Sequence, residues 1–286
     1  MVHFADIAAG VLLRLGPARS RVFPDGWGDQ ELLDMLRDPA RLAESVPAAD
    51  AMWGRKEEHR GSRVTRGQFV SPSSALLPHE ARVVNIEQVE PPSGAAPLVI
   101  LLPAWNEHGF EQRRTLAALL LKHGIGSVMF DVPLYGSRRT TNENEQAIRT
   151  VADFALMGYG GIRDALSISE SLERPHGFAG FSMGGNLAAL AAAASRHRVA
   201  MAGMAASHSP GPVYLDGVLS HAIEWEALGG RHAEPRLREL LTSASVLEFE
   251  AKHHLRTAVL LAAEDDGFVP FDAAQALANH WDADLR

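Results

Sequence analysis

Short apolar runs alternate with helical segments along most of the chain. The continuous apolar run at residues 98–102 is typical of a strand buried on both faces. Further strands are predicted at residues 127–130, 176–181, 199–205 and 257–263. Helical spacing predicts helices over residues 110–123, 143–172, 186–195 and 272–280, and an interruption of the second near Gly158 to Gly161 is left open. Because strands that alternate with helices form parallel sheets, this order predicts an α/β fold with a mostly parallel central sheet and helices on both faces.

Two segments fall outside this alternation. Residues 1–70 are interpreted as an N-terminal extension packed on an α/β domain of residues 71–286. The extension holds a helical pattern at 31–36 and a mixed charge run at 55–60, which we interpret as a solvated surface. Residues 210–252 separate two predicted core strands, and so long a connection predicts a cap-like insertion over the site.

The first 15 residues are mildly apolar but do not have the pattern of a signal peptide. They lack a basic n-region and carry Asp6, so we interpret them as the first helix of the mature protein. Peripheral contact of this helix with a membrane surface stays open. No apolar run approaches the roughly 20 residues of a membrane-spanning helix, so we expect no transmembrane segment.

Composition narrows the function classes. The net charge of −8 argues against a nucleic-acid partner. The absence of cysteine excludes disulfides, thiolate metal sites and a cysteine nucleophile, and it fits a cytoplasmic protein. Histidine pairs with metal-ligand spacing are not evident, so neither a metal nor another cofactor is expected.

One glycine-rich motif carries the candidate chemistry. Gly180-Phe181-Ser182-Met183-Gly184 follows a predicted strand and opens a predicted helix of small residues. A nucleophile elbow needs this context, because the sharp turn strains the serine backbone and lifts its hydroxyl to the helix N-terminus, where free amides favour negative charge. The alternative is a simple turn that joins strand to helix.

Candidate residues for the acid that orients the catalytic base, and for the oxyanion hole, follow other predicted strands. Glu264-Asp265-Asp266 follows the strand at 257–263; Asp266 is the favoured acid, Asp265 is second, and an acidic helix cap is the alternative. An oxyanion hole needs two convergent amides, for which we assign Met183 and Trp105, with Asn106 as the next choice. Simple packing is the alternative role for Trp105.

The general base has no clear position in the sequence. Of the 13 histidines, none follows residues 284–286, where we expect the last strand to begin. His208, at a strand end, is a candidate substitute base.

Several further motifs are spread over nearly the whole chain. They are Phe23-Pro24-Asp25-Gly26-Trp27-Gly28, Gly67-Gln68-Phe69-Val70-Ser71-Pro72, Arg113-Arg114-Thr115-Leu116, Pro133-Leu134-Tyr135-Gly136-Ser137-Arg138, and Gly217-Val218-Leu219-Ser220-His221-Ala222-Ile223-Glu224-Trp225. Together with Gly180 to Gly185 and residues 264–270, they make the chain resemble the alpha/beta-hydrolase domain-containing protein 18-like family.

This resemblance implies an α/β-hydrolase fold with Ser182 and Asp266 in the nucleophile and acid positions. It also implies a final Gly-Gly-His segment that carries the base. Since this sequence lacks that segment, we expect the family's last strand and helix to be missing here. The resemblance suggests small-molecule acyl-ester substrates, including lipid-like ones.

Three classes of function therefore compete. The first is a serine esterase or acyl hydrolase that uses Ser182, a histidine and Asp266. The second is a truncated or non-catalytic binding protein that keeps the pocket without the base. The third is a haloperoxidase, lyase or transferase, because one fold supports many chemistries. A dehalogenase is disfavoured, because it needs an acidic nucleophile at position 182.

Overall fold

A computed structural model describes residues 6, 21–59, 61–94, 96–141, 147–250 and 255–286. The predicted helix at the N-terminus lies outside these residues, apart from Asp6. Within the described part of the chain, no helix is both long and apolar enough to cross a membrane.

The centre of the fold is a nine-stranded mixed sheet in the order β1-β2-β3-β5-β4-β6-β7-β8-β9. Strands β4 to β9 run parallel, and β1, β2 and β3 add an antiparallel edge next to β5. The strands are β1 Met52–His59, β2 Ser62–Val70, β3 Val83–Glu90, β4 Leu98–Leu102, β5 Gly126–Phe130, β6 His176–Phe181, β7 Val199–Met204, β8 Leu255–Leu261 and β9 Asp284–Leu285.

Helices cover both faces of this sheet, which confirms the predicted α/β-hydrolase architecture. The α-helices are α1 Gln30–Leu36, α2 Glu111–Leu121, α3 Val151–Glu170, α4 Met183–Ala194, α5 Glu234–Ser243 and α6 Phe271–Trp281. A π-helix spans Pro212–Asp216, and 3₁₀ turns span Pro39–Ala43, His79–Ala81, Gly136–Arg138, Val218–His221, Arg231–Ala233 and Val246–Glu248.

Alternate residues of each strand face opposite layers, as the pleat of a strand requires. Leu101 and Met129 are buried against Ala117 of α2. Ile100 and Phe178 belong to the larger core on the other face, which α3, α4 and α6 cover. The sheet is therefore buried on both sides at its centre, where the continuous apolar runs predicted strands.

Two features differ from the sequence prediction. The charge run at 55–60 was interpreted only as a solvated surface, whereas residues 55–59 form most of β1, the edge strand that pairs with β2. Arg55 to Glu58 are exposed there, and charged side chains are common on edge strands because they oppose pairing with other chains. A strand exposed on both faces has no alternating apolar pattern, so the pattern did not reveal it.

The predicted helix over residues 143–172 is shorter than expected, and it has no break. Helix α3 begins at Val151, where Thr150 and Asp153 form a reciprocal capping box. Gly160 and Gly161 do not interrupt it. A Cβ on either glycine would lie 2.8 Å from the side chain of Pro133 or Val132, so both allow the helix to pack closely on the loop after β5.

A fully buried ion pair anchors that loop. The Arg138 guanidinium donates to Asp164 of α3 at 2.7 Å and to the carbonyl oxygens of Ala81 and Asp131. The second Asp164 oxygen accepts a hydrogen bond from the Ser71 hydroxyl at 2.6 Å. This cluster joins β5, α3 and the segment before β3.

Replacing Asp164 with alanine would leave the Arg138 guanidinium buried without its carboxylate. We expect Asp164→Ala to lower the free energy of unfolding by about 3–5 kcal/mol, measured by urea denaturation. The control is Arg238→Ala, which removes a partly exposed pair with Asp216 and should cost at most about 1 kcal/mol. Equal losses in the two variants would contradict a structural role of the buried pair.

Candidate active site

Ser182 occupies a strained turn between β6 and α4. Its backbone angles are φ 54° and ψ −118°, a conformation that is unfavourable for a residue with a side chain. Its amide donates to the Met204 carbonyl at 2.8 Å, and its carbonyl accepts from the Asn186 amide at 3.1 Å. The hydroxyl does not cap the helix, and it has no hydrogen-bond partner among the described residues. The backbone is thus fixed while the hydroxyl is left uncommitted.

The two glycines of the motif allow this turn because three backbones meet there. A Cβ on Gly180 would lie 2.3 Å from the Gly184 carbonyl carbon, and one on Gly184 would lie 2.4 Å from the Leu102 carbonyl oxygen. Neither position can hold a side chain without moving main-chain atoms. The loop after β4 therefore lies directly against the first turn of α4.

A cavity of about 120 Å³ opens at Ser182. Trp105 and Tyr214 line it, and their rings pack on each other and on Phe154. Most of the remaining wall is aliphatic and comes from α1, α3, α4 and α5. Burial raises the pKa of the Tyr214 hydroxyl well above its usual value, so this group stays neutral. The cavity is suited to an apolar ligand.

Two backbone amides next to the cavity have no partner among the described residues. The Met183 amide is the first of α4, a position that has no acceptor within the helix. The Trp105 amide lies in the loop after β4, and no described carbonyl accepts from it. Both residues line the same cavity as Ser182. The structure thus brings together the serine and the two residues predicted for the oxyanion hole.

A buried ion pair holds the loop that carries Trp105. The Glu107 carboxylate accepts from the Ala104 amide at 3.0 Å and from Arg113 at 2.7 Å, and both charged side chains are more than nine-tenths buried. Arg113 also donates to the carbonyl oxygens of Leu101 and Phe130, at the ends of β4 and β5. Burial lowers the pKa of the Arg113 guanidinium, and the Glu107 carboxylate opposes this shift.

Asn106 follows Trp105 with a positive φ of 56°, and its amide donates to the Tyr135 hydroxyl at 3.4 Å. Burial raises the pKa of this hydroxyl, so it stays protonated. The Asn106 amide therefore already has a partner, which favours Trp105 over Asn106 as the second oxyanion donor.

Asp266 lies in the turn after β8, as predicted. One carboxylate oxygen accepts from the amides of Phe268 and Val269, at 2.8 and 3.0 Å, and the other has no partner among the described residues. Val269 lines the cavity at Ser182, whereas Asp266 does not. Asp265 is exposed. Strand β9 pairs in parallel with β8, at the position where the last strand was expected to begin.

The structure does not bring His208 to the serine. Its neighbours Ser207 and Ser209 line the cavity, but His208 does not, and its Nδ1 hydrogen-bonds the Ser245 hydroxyl at 3.0 Å. Burial lowers the pKa of its imidazole, so the ring is neutral near pH 7. Among the described residues, none that lines this cavity is a histidine, and no group of three metal-ligating side chains occurs.

Comparison with known proteins decides the family. A profile of the family described as "Alpha/beta hydrolase domain containing 18" matches residues 20–252. The chain belongs to this family. The matched residues include the Ser182 motif and the Glu107–Arg113 pair. The turn that holds Asp266 lies after the last matched residue.

The solved structures similar to this chain include two acetyl xylan esterases. Acetyl xylan esterase 1 from Thermoanaerobacterium sp. JW/SL YS485 is 14% identical, with a TM-score of 0.60 over 94% of this chain and 89% of that one. Acetyl xylan esterase from Paenibacillus sp. R4 is 13% identical, with a TM-score of 0.61 over 96% and 91%. At such low identity, the likeness shows the fold alone.

A third similar structure is Est1E from Butyrivibrio proteoclasticus with ferulic acid bound. It is 18% identical to this chain, with a TM-score of 0.51 over 71% of this chain and 84% of that one.

Sequence reasoning missed two parts of the site. Arg113 was noted only as part of a family motif, and its partner Glu107 was not singled out. The spacing of six residues between a loop carboxylate and a helix arginine has no distinctive pattern. Tyr214 was missed as a cavity wall, because it reaches the site from the π-helix of a long connection.

Glu107→Gln would keep the size of the side chain and leave Arg113 buried without its ion-pair partner. We expect the variant to lose roughly 3 kcal/mol of unfolding free energy and to exchange the Ala104 and Trp105 amide protons faster. Urea denaturation and hydrogen-exchange mass spectrometry measure the two effects. Glu111→Gln is the control, since Glu111 pairs with Arg114 at the surface. If both variants behave alike, Glu107 does not hold the loop.

Proposed function

We propose that this protein is a serine hydrolase that cleaves a carboxylic ester through an acyl intermediate on Ser182. The observation that carries this proposal is the strained backbone of Ser182, which presents an uncommitted hydroxyl to a cavity at a helix N-terminus. Strain of this kind is found where the surrounding structure maintains it for a functional reason. A turn that merely joined strand to helix would not require it.

In the proposed reaction, Ser182 Oγ attacks the ester carbonyl carbon while a histidine base takes the hydroxyl proton. The carbonyl oxygen becomes an oxyanion, which the amides of Met183 and Trp105 stabilise. The alkoxide then leaves with the proton from the base. Water attacks the acyl-serine in the same manner, releasing the carboxylic acid and restoring Ser182. Asp266 orients the base through its carboxylate oxygen that is not committed to the turn.

The same site also supports a second function, a binding protein without turnover. The described histidine nearest in sequence to the cavity wall, His208, is hydrogen-bonded to Ser245. The two functions differ in whether a base reaches Ser182, either by movement of His208 or from a residue outside those described.

The apolar wall supports an apolar acyl group, which includes lipid-like esters. The connection at residues 210–252 contributes Val213, Tyr214 and Leu241 to this wall, which supports its proposed role as a cap. A cytoplasmic location and peripheral membrane contact by the N-terminal residues remain predictions.

Covalent labelling tests the nucleophile directly. A fluorophosphonate probe should phosphonylate Ser182 with loss of fluoride, and mass spectrometry should locate the adduct on the peptide that contains residues 180–185. Ser182→Ala should abolish the labelling. Ser209→Ala is the matched control, because Ser209 lines the same cavity. The probe should label this variant as strongly as the parent. Labelling that persists in Ser182→Ala would refute the proposal.

Chemical rescue with free imidazole distinguishes the two functions. Labelling of the unmodified protein without imidazole would show that the chain supplies the base, and Asp266→Asn should then slow it by at least about a hundredfold. Loss of labelling in His208→Ala would assign the base to His208. Labelling that needs imidazole would favour the binding protein. No labelling in either condition, by a protein that melts cooperatively, would refute both the nucleophile and the hydrolase.

A further inference from the structure

Helix α3 contains three glycines within four residues, and packing explains only two of them. Gly160 and Gly161 face the loop after β5, where a Cβ would collide with Pro133 or Val132. At Gly158, an added Cβ would meet a single atom, Leu187 Cδ2 of α4, at 3.9 Å, which is an ordinary contact distance. The packing around α3 therefore leaves room for a side chain at Gly158.

A glycine at this position is unfavourable for the helix itself. Glycine loses more backbone entropy than alanine when a helix forms, so alanine would stabilise the middle of α3. The space that the missing side chain leaves belongs to the cavity at Ser182, which Gly158 lines. An unfavourable residue that keeps part of a binding cavity open indicates a role in ligand selection.

The cavity follows one side of α4 away from the serine. Ser182, Met183, Asn186, Leu187 and Leu190 all line it, and this spacing corresponds to one helix face. A rise of 1.5 Å per residue places Leu187, and Gly158 opposite it, about 7.5 Å along the axis from Ser182. An extended carbon chain with C–C bonds of about 1.5 Å advances about 1.3 Å per carbon. About six carbons therefore span this distance.

The cavity volume indicates a ligand of the same size, about six carbons. Its volume of about 120 Å³ is close to the roughly 150 Å³ of an apolar cavity that binds benzene, a ligand of six carbons. We propose that Gly158 determines acyl-chain length at this site, and that the cavity selects a straight acyl chain of about six carbons whose end lies over Gly158. This inference rests on the proposed ester hydrolysis at Ser182 and names its substrate class.

A series of p-nitrophenyl esters from acetate to decanoate tests the inference. The unmodified protein should have its highest kcat/KM near hexanoate. Gly158→Leu should lower the ratio of kcat/KM for hexanoate over acetate by at least about tenfold, and Gly158→Ala by about threefold, because both side chains fill the space. Gly158→Ala should melt at the same temperature as the parent or higher, which separates this effect from misfolding.

The matched control is Ala118→Leu, on an exposed position of α2 that covers the opposite face of the sheet. It adds a side chain to a helix without touching the cavity, so the chain-length profile should stay unchanged. An unchanged profile in both Gly158 variants would overturn the inference.

Binding without turnover separates this inference from the hydrolase proposal. Isothermal titration calorimetry with 1-hexanol requires only the apolar cavity. We expect 1-hexanol to bind the parent and Ser182→Ala alike, and to bind Gly158→Leu at least about tenfold more weakly. If no ester is cleaved but this pattern holds, the hydrolase fails and the role of Gly158 stands. If the parent binds no 1-hexanol, or Gly158→Leu binds it equally, the role of Gly158 is wrong.

Discussion

Three main-chain segments meet at the carboxyl edge of the sheet with no side chain between them. The end of β6 approaches the first turn of α4, and that turn approaches the loop after β4, so that Gly180 and Gly184 have no room for a Cβ. The same contact sets the backbone of Ser182 and brings the Trp105 loop beside the helix N-terminus. The positions of the serine and of the two free amides therefore depend on the register of the parallel strands.

Buried charges fix the loops on which this contact depends. Glu107 and Arg113 hold the loop after β4, and Arg138 and Asp164 hold the loop after β5. Burying an ion pair is costly, and one partner alone costs much more, so such pairs favour a single arrangement of the chain around them. Each arginine also donates to a carbonyl oxygen at the end of β5: Arg113 to that of Phe130, and Arg138 to that of Asp131, the next residue. The contacts that hold the loops near Ser182 are thus buried in the core and not exposed at the surface.

Structural elements that are buried or defined by a few consecutive residues were predicted best from the sequence. Strands β4 and β6 match their predicted bounds, because β4 is a continuous apolar run and β6 ends at the glycine-rich turn. The elbow at Ser182 was predictable because its requirements lie within five residues. Strand β1 was missed since a charged edge strand has no apolar pattern, and the interruption left open in α3 does not occur, because Gly160 and Gly161 serve close packing. The Glu107–Arg113 pair and the environment of His208 depend on contacts between separate elements.

The two walls of the cavity belong to the same apolar core but differ in their other contacts. On one side, α3 and α4 pack in the main core, and Gly160 and Gly161 of α3 leave no room for a Cβ against the loop after β5. On the other side, Leu33 of α1 and Leu237 and Leu241 of α5 are buried in the same core. Exposed contacts are added there: Arg37 pairs with Glu239, and the Arg236 guanidinium lies 4.1 Å from the centre of the Trp27 ring. Exposed contacts of this kind contribute little stability individually. Apolar packing therefore holds both walls of the cavity, and discrimination between ligands by size depends on that packing.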